Sequence, residues 1–395
     1  MLKVHSTHTD NNVHHGISRE EIEVLACLEC QHALTLYVPT SRTGQDVQQG
    51  RIKLKNLLVE AENRLVEQGL RRTVAIDLLQ PAAELDADVD FWNDRLDSVA
   101  IFLAPGEFQA HHLAFQTPES LHVGRHFYIR PLVQALDAID DYFVLALDKG
   151  HVRLVRCSPD SVVEEPVPHL PDNFESFLAL EHPEKQSQGH TVGPHGGAGT
   201  MIRHGSGDQS ADPKERLHRF SVAIAKAVED YLRDSEDPVV LAGTEDFQSD
   251  FRAVAHLKHL LDRGISRSPN TLTRLDLQHE AEGIVAGYAD ERRARAIEQY
   301  NQAAGTGLAS QQLEDFLPFA AEGRVDVLLT YPQAEIWGTF DPGKRQLERT
   351  ESTAPEAVEL INEAAIATLK NGGTVFEIDP KDLDLLDSAA VIFRY

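Results

Sequence analysis

Basic residues are in short supply. Lys and Arg number 37 against 63 Asp and Glu, which gives a formal net charge of −26 and a pI near 5.1. Nucleic-acid affinity comes from cations neutralising phosphates, so this balance excludes a protein that grips nucleic acid over its whole surface and leaves only a local site. DNA is not an expected partner. Cysteine is scarcer still: Cys27, Cys30 and Cys157 supply no disulfide framework. No run approaches the roughly 18 apolar residues of a membrane span, and no charged start followed by an apolar core marks a leader. A cytoplasmic protein without a membrane partner is expected.

Several reaction classes lack their motifs. No G-x-S-x-G elbow occurs, so the glycine-rich His195-Gly196-Gly197-Ala198-Gly199, which resembles an esterase oxyanion loop, has no serine nucleophile to serve. No G-x-G-x-x-G opens a helix after a strand, and no phosphate-binding G-x-x-x-x-G-K-[ST] is present. H-E-x-x-H is missing, and Cys27-Leu28-Glu29-Cys30 has no second pair, so it reads as two small residues at a helix end rather than zinc ligands. His5, His8, His14 and His15 fall in an aperiodic polar stretch. Residues 1–18 are expected to be disordered rather than to bind metal. Neither a metal nor a cofactor is expected.

What is present is a folded α/β chain of 395 residues, 42% of them apolar, enough for separate cores in several domains. A strand at Ala33–Val38 precedes a helix from about Asp46 to Gln68, whose Leu54, Leu57, Leu58, Ala61 and Leu65 form one stripe. A second helix is expected around Ala82–Asp94, then a hairpin of Ser98–Leu103 and Glu107–Leu113 turned by Pro105-Gly106. Tyr142–Leu147 and His151–Cys157 read as another hairpin, and Pro238–Gly243 as a buried strand. A charged helix from about Leu277 to Ala304, carrying Arg292, Arg293 and Arg295, reads as a solvated connector. The last part alternates strands (Arg324–Thr330, Glu335–Phe340, Thr374–Ile378, Ala389–Phe393) with a helix over Pro355–Lys370. Three domains follow, at 1–134, 135–275 and 276–395.

Between His182 and Asp212 no apolar period runs, and glycines stand at 189, 193, 196, 197, 199, 205 and 207. A helix then starts, with Asp212 as N-cap, Pro213 as first residue and Glu215 as capping-box partner. Its Leu217, Phe220, Ile224, Val228 and Tyr231 step by three and four, so one face is buried. Glycine lets a backbone approach a ligand closely, and a loop of this kind can offer N–H groups to an anion or a developing oxyanion. Arg203, His204, Lys214, Arg216 and Arg219 make this the stretch least hostile to phosphate in an acidic chain.

These features together resemble a family, the bacterial relatives of the archaeal and eukaryotic class 1 peptide chain release factors. The resemblance rests on LTLYVPT (34–40) with RIKLKNLLVEAENRL (51–65), YFVLALDKGHVRLVRC (142–157), and HGGAG (195–199) ahead of PKERLHRF (213–220). PVVLAG (238–243), RVDVLLTYPQAEIWGTFD (324–341), LINEAAIATLKNGGTVFEI (360–378) and AAVIFRY (389–395) extend it over nearly the whole chain. It implies a divergent N-terminal α/β domain, a ribonuclease H-like middle domain whose loop spans 183–212, and a C-terminal α/β sandwich like the ribosomal proteins that bind kinked RNA. It also implies a ribosomal partner, with rRNA and tRNA contacted, and a GTPase that the residues do not identify.

In that family a Gly-Gly-Gln tip reaches the peptidyl-tRNA ester. Here the candidate tips are Gly196-Gly197-Ala198, which lacks the Gln, and Gly207-Asp208-Gln209, which puts Asp at the second glycine. Either departure weighs against hydrolysis. The expectation is a factor that occupies the A site of stalled or idle ribosomes, with peptidyl-tRNA hydrolysis and a non-ribosomal scaffold as alternatives. The loop is expected to order only on binding.

Overall fold

Leu34, Leu36 and Val38 alternate with Thr35 and Tyr37, and both sets are buried, so the strand they form is covered on two faces. The computed structural model describes residues 13–40, 47–93, 96–139, 141–159, 161–181, 213–332, 334–352, 354 and 357–395. They form a mixed α/β protein whose contacts divide it into two units, Met1–Ala138 with Arg292–Tyr395, and Ile139–Glu291.

The first unit begins with β1 (Val13–His15), α1 (Arg19–Cys27), β2 (Ala33–Pro39), α2 (Val47–Glu67), α3 (Arg72–Glu84) and α4 (Val89–Asn93). β3 (Ser98–Ala104), β4 (Glu107–Leu113), β5 (Ser120–Gly124) and α5 (Val133–Asp137) follow. The strands pair in the order β1-β4-β3-β2-β5, with β1 parallel to β4 and the other pairs antiparallel. Leu36 stands opposite Ile101 and Leu121, and on that face Leu54, Ala61 and Leu65 of α2 close the core with Leu79 of α3.

Two expectations are corrected in this region. Residues 13–18, placed in a disordered terminus, instead form β1 and the cap of α1, because β4 offers a parallel partner and Ser18 and Glu21 make a reciprocal capping box. The helix expected over 82–94 is two helices joined by a 3₁₀ turn, and Pro81 lies inside α3 rather than ahead of a helix. A carboxylate oxygen of Asp88 accepts from the N–H groups of Asp90 and Phe91, both at 3.0 Å, which starts α4 anew.

The second unit holds β6 (Tyr142–Leu147), β7 (Arg153–Cys157), β8 (Val162–Glu165), α6 (Phe174–Glu181), α7 (Pro213–Tyr231), β9 (Val239–Gly243), α8 (Glu245–Val254), β10 (Leu260–Ile265) and the start of α9 (Arg274–Ala303). Its sheet runs β10-β9-β6-β7-β8, with β10, β9 and β6 parallel and β7 antiparallel to both β6 and β8. One face packs on Phe220, Ile224 and Val228 of α7 and on Phe247 and Phe251 of α8, and the other on Leu277, Ala281 and Val285 of α9. Continuous apolar strands such as VVLAG are what a sheet covered on both faces requires.

The first unit resumes with the end of α9, then β11 (Ala309–Ser310), α10 (Leu313–Ala321), β12 (Val325–Thr330), β13 (Trp337–Asp341), β14 (Gln346–Arg349), β15 (Val358–Glu359), α11 (Leu360–Lys370), β16 (Thr374–Glu377) and β17 (Ala389–Phe393). β11-β17-β12-β16 make a four-stranded sheet and β14-β13-β15 a three-stranded one. The helix expected from Pro355 begins only at Leu360, since Val358 pairs with Gly338 and Glu359 caps the helix by accepting from the N–H groups of Ile361 and Asn362. Phe127, Ile129 and Leu132 share one core with Leu360, Ile361 and Ala364, so the two ends of the chain fold together. Arg130 crosses that core. Its guanidinium donates to Thr330 Oγ1 (3.0 Å) and the Tyr331 carbonyl (2.6 Å), and it lies 3.5 Å from the Glu359 carboxylate.

Candidate functional site

The candidate tips Gly196, Gly197, Ala198, Gly207 and Gln209, together with Arg203, His204 and the cap Asp212, lie outside the described residues. So does the expectation that the loop orders only on binding. What the structure places is the base from which residues 182–212 leave α6 and return to α7.

Asn173 starts α6: its side-chain oxygen accepts from the Ser176 N–H at 2.8 Å. The Phe174 N–H donates to the Lys149 carbonyl at 2.8 Å, which fastens this end to the turn between β6 and β7. That turn is itself braced, since Asp148 accepts from the Gly150 N–H (2.8 Å) and from the Ser268 hydroxyl (3.0 Å). On the inner side of α6, Phe174 and Phe177 meet the fully buried Phe220 of α7 with ring centroids 5.3 and 5.4 Å apart. Phe247 of α8 lies 6.0 Å from Phe220. Burying a ring of this size is worth about 2–3 kcal/mol, and the aromatic pairs add to it. Both ends of the intervening segment are therefore seated on one ring cluster.

α7 begins at Pro213, as expected from the sequence. Leu217 is half-buried, Phe220, Ile224 and Val228 are buried, and Tyr231 is exposed, so the apolar stripe ends one turn early. The Tyr231 hydroxyl instead donates to the Glu165 carboxylate of β8, and that bond pushes the phenol up from its ordinary value. Of the predicted cations, Lys214 is exposed while Arg216 and Arg219 are half-buried, all on the first two turns. Arg216 and Arg219 are one turn apart and so neighbours on the helix surface. His218 Nδ1 lies 3.4 Å from Asp250 of α8. The sequence reading missed Phe174 and Phe177, for which Asn173 as a cap and the i, i+3 spacing were the available signals.

Among the described residues no cluster of His, Cys, Asp and Glu could hold a metal ion, and no helix is long and apolar enough to cross a membrane. Cys27 is exposed and Cys30 half-buried, both as free thiols at the end of α1, and burial pushes the Cys30 thiol up, away from a reactive thiolate.

Residues 141–324 match bacterial archaeo-eukaryotic release factor family 3, a stretch that takes in all of α6, α7 and the residues between them. The resemblance read from the sequence is borne out there. Among solved structures the chain is similar to an archaeal translation termination factor, aRF1, at 13% identity over 96% of this chain and 99% of that one, with a TM-score of 0.24. It is similar to Saccharomyces cerevisiae Dom34, a translation termination-like factor involved in RNA quality control and interacting with Hbs1, at 12% identity over 75% and 79%, TM-score 0.39. A third likeness is to archaeal Pelota, bound with ABCE1 to the ribosome, at 10% identity over 95% and 94%, TM-score 0.40. No curated protein matches the chain.

Proposed function

We propose that the chain is a ribosome-associated translation factor that places residues 183–212 in the A site of stalled or idle ribosomes, in rescue or hibernation. The observation that carries this reading is the family match across residues 141–324, which brackets the loop and its seat. The geometry supports it mechanically, because a loop that must enter a narrow RNA-lined site needs a stiff base, and the Phe174–Phe177–Phe220 cluster provides one. Lys214, Arg216 and Arg219 supply phosphate contacts at that base, and Arg203 and His204 add to them in this reading. On this reading the middle sheet is ribonuclease H-like, supported by the order β10-β9-β6-β7-β8 with β7 alone reversed. The C-terminal sheet with α10 and α11 is the sandwich domain.

Peptidyl-tRNA hydrolysis is the second reading, favoured by the glycines that either candidate tip retains. In it the backbone N–H of Ala198 or Gln209 polarises the ester carbonyl while ribosomal RNA supplies the remaining groups. One experiment addresses both readings: stalled complexes carrying a labelled peptide are mixed with the full chain, then assayed for co-sedimentation and for release. Co-sedimentation that falls as salt rises is expected. Changing Lys214, Arg216 and Arg219 to Ala should weaken it and lower the salt slope by about 2, at roughly 0.7 per lost phosphate contact. Release abolished by Gly196→Val, Gly197→Val or Gln209→Ala without loss of binding would identify the tip and make the protein a hydrolase. Failure to co-sediment at low salt would overturn both readings and favour a scaffold without a ribosome.

A further inference from the structure

Trp337 stands at the head of a column of three rings in the first unit. Tyr128 stacks on His122 with centroids 3.6 Å apart and planes 17° from parallel, and His122 faces Trp337 at 5.5 Å and 4°. One carboxylate ties the two ends: Glu335 accepts from the Trp337 indole N–H at 3.0 Å and from the Tyr128 hydroxyl at 3.4 Å. Burial, together with Arg64 and Arg130, pushes His122 down to about 3, so the column is uncharged at neutral pH. The ring of Trp337 is thus held in place without a cation in the stack beneath it.

The indole is half-buried and lines an open pocket of about 510 Å³ with Glu335, Thr350 and Glu351. Arg349 lines it too, but its charge is already met, with Nε 2.9 Å from Glu314 and Nη2 2.8 Å from Asp387. Among the described residues Glu335 accepts only from the neutral Trp337 and Tyr128 donors, and no ion pair reaches Glu335 or Glu351. The pocket therefore offers an aromatic face and two carboxylates that no cation among the described residues pairs with.

We propose that this pocket binds a cationic side chain, an arginine presented by a basic protein segment, laid on Trp337 with its charge met by Glu335 and Glu351. A guanidinium matches both features: it stacks on indole, and its fork of N–H groups suits carboxylates. Charge decides against a nucleotide base as occupant, since its phosphate would be brought towards two carboxylates on a chain of net charge −26, which draws basic partners instead. The proposal does not depend on the ribosomal reading.

The chain has two tryptophans, and Trp92 is 4% exposed with its indole N–H given to the Leu85 carbonyl, so a ligand-induced fluorescence change reports Trp337. The full-length protein is titrated with acetyl-Gly-Arg-Gly-Arg-Gly-amide, with the same peptide carrying citrulline for arginine, and with a single-stranded hexa-adenylate. The arginine peptide should give a saturable change, and citrulline should bind at least about tenfold more weakly, as loss of charge over an indole implies. Glu335→Gln with Glu351→Gln should weaken the arginine peptide to a similar extent while leaving the melting temperature within a few degrees, because the amide oxygen introduced by Glu335→Gln can still accept from the indole while its NH2 group donates to the Tyr128 phenol oxygen. Equal binding of citrulline, indifference to the Gln variants or silence with every peptide would each overturn the proposal. Tighter saturation by the oligonucleotide would replace it with a base-stacking platform.

Discussion

Phe174 of α6 meets Phe220 of α7 edge to face, with centroids 5.3 Å apart and planes at 69°. Of all the aromatic contacts in the second unit, this pair and its companion Phe177 join the two helices that bracket residues 182–212. The base from which residues 182–212 depart and the core of the sheet are therefore one structure.

Phe220→Ala removes a fully buried ring that touches Phe174, Phe177 and Phe247. The expected loss is about 3–5 kcal/mol, read as a lower urea midpoint at an unchanged slope. In a double-mutant cycle with Phe174→Ala, the coupling should be about 0.5–1.5 kcal/mol. Additive losses would mean that the rings are neighbours without supporting each other.

Gly264→Ala tests the parallel edge of the same sheet. A Cβ there would come 2.7 Å from the Leu241 carbonyl oxygen and closer still to the amide oxygen of Gln248. Gln248 cannot move freely, because its Nε2 donates to the carbonyls of Gly243 and Ile265, both at 2.9 Å, and it is 6% exposed. The strain should destabilise the chain by about 1–3 kcal/mol. A change below about 0.5 kcal/mol would show that the β9–β10 register, which already shifts between Leu260 and Gly264, gives way without cost.

The same strand shows where the sequence was silent. β10 reads Leu-Leu-Asp-Arg-Gly-Ile, and its exposed Asp262 and Arg263 break the apolar run that made β9 readable. α2 was legible because five apolar residues from Leu54 to Leu65 keep one stripe over about three turns, whereas α3 buries only Ala75, Leu79 and Ala82, too little for a period to stand out. Val358 lies at the start of the segment read as one helix and instead pairs with Gly338 as a strand, a tertiary contact that fits its β-branched side chain but that the helical pattern around it hid. The start of α7 was visible as glycine punctuation followed by Pro213. The stacked His122 and Trp337 were not, since 215 residues separate them and neither belongs to a motif.

Asp137 gives the final prediction, a pH dependence of stability. It closes α5 with 6% exposure, and Arg293 Nη2 lies 3.4 Å from its carboxylate. Burial outweighs Arg293 and Arg292 and pushes the carboxyl from 3.8 up to about 6, and the neighbouring Glu377 is pushed up for the same reason. Between pH 4 and 6 the folded chain therefore holds protons that the unfolded chain has released, so stability falls as pH rises through that window. Two pKa units correspond to at most about 3 kcal/mol. Asp137→Asn cannot ionise, so its stability relative to the wild type should rise by up to about that amount from pH 4 to pH 7, with Glu377 supplying the slope that remains. Urea titrations at each pH unit measure the difference. A difference that stays flat would mean that Arg293 keeps Asp137 ionised throughout, and that the pair holds α5 against α9 as a buried ion pair rather than a proton-bearing one.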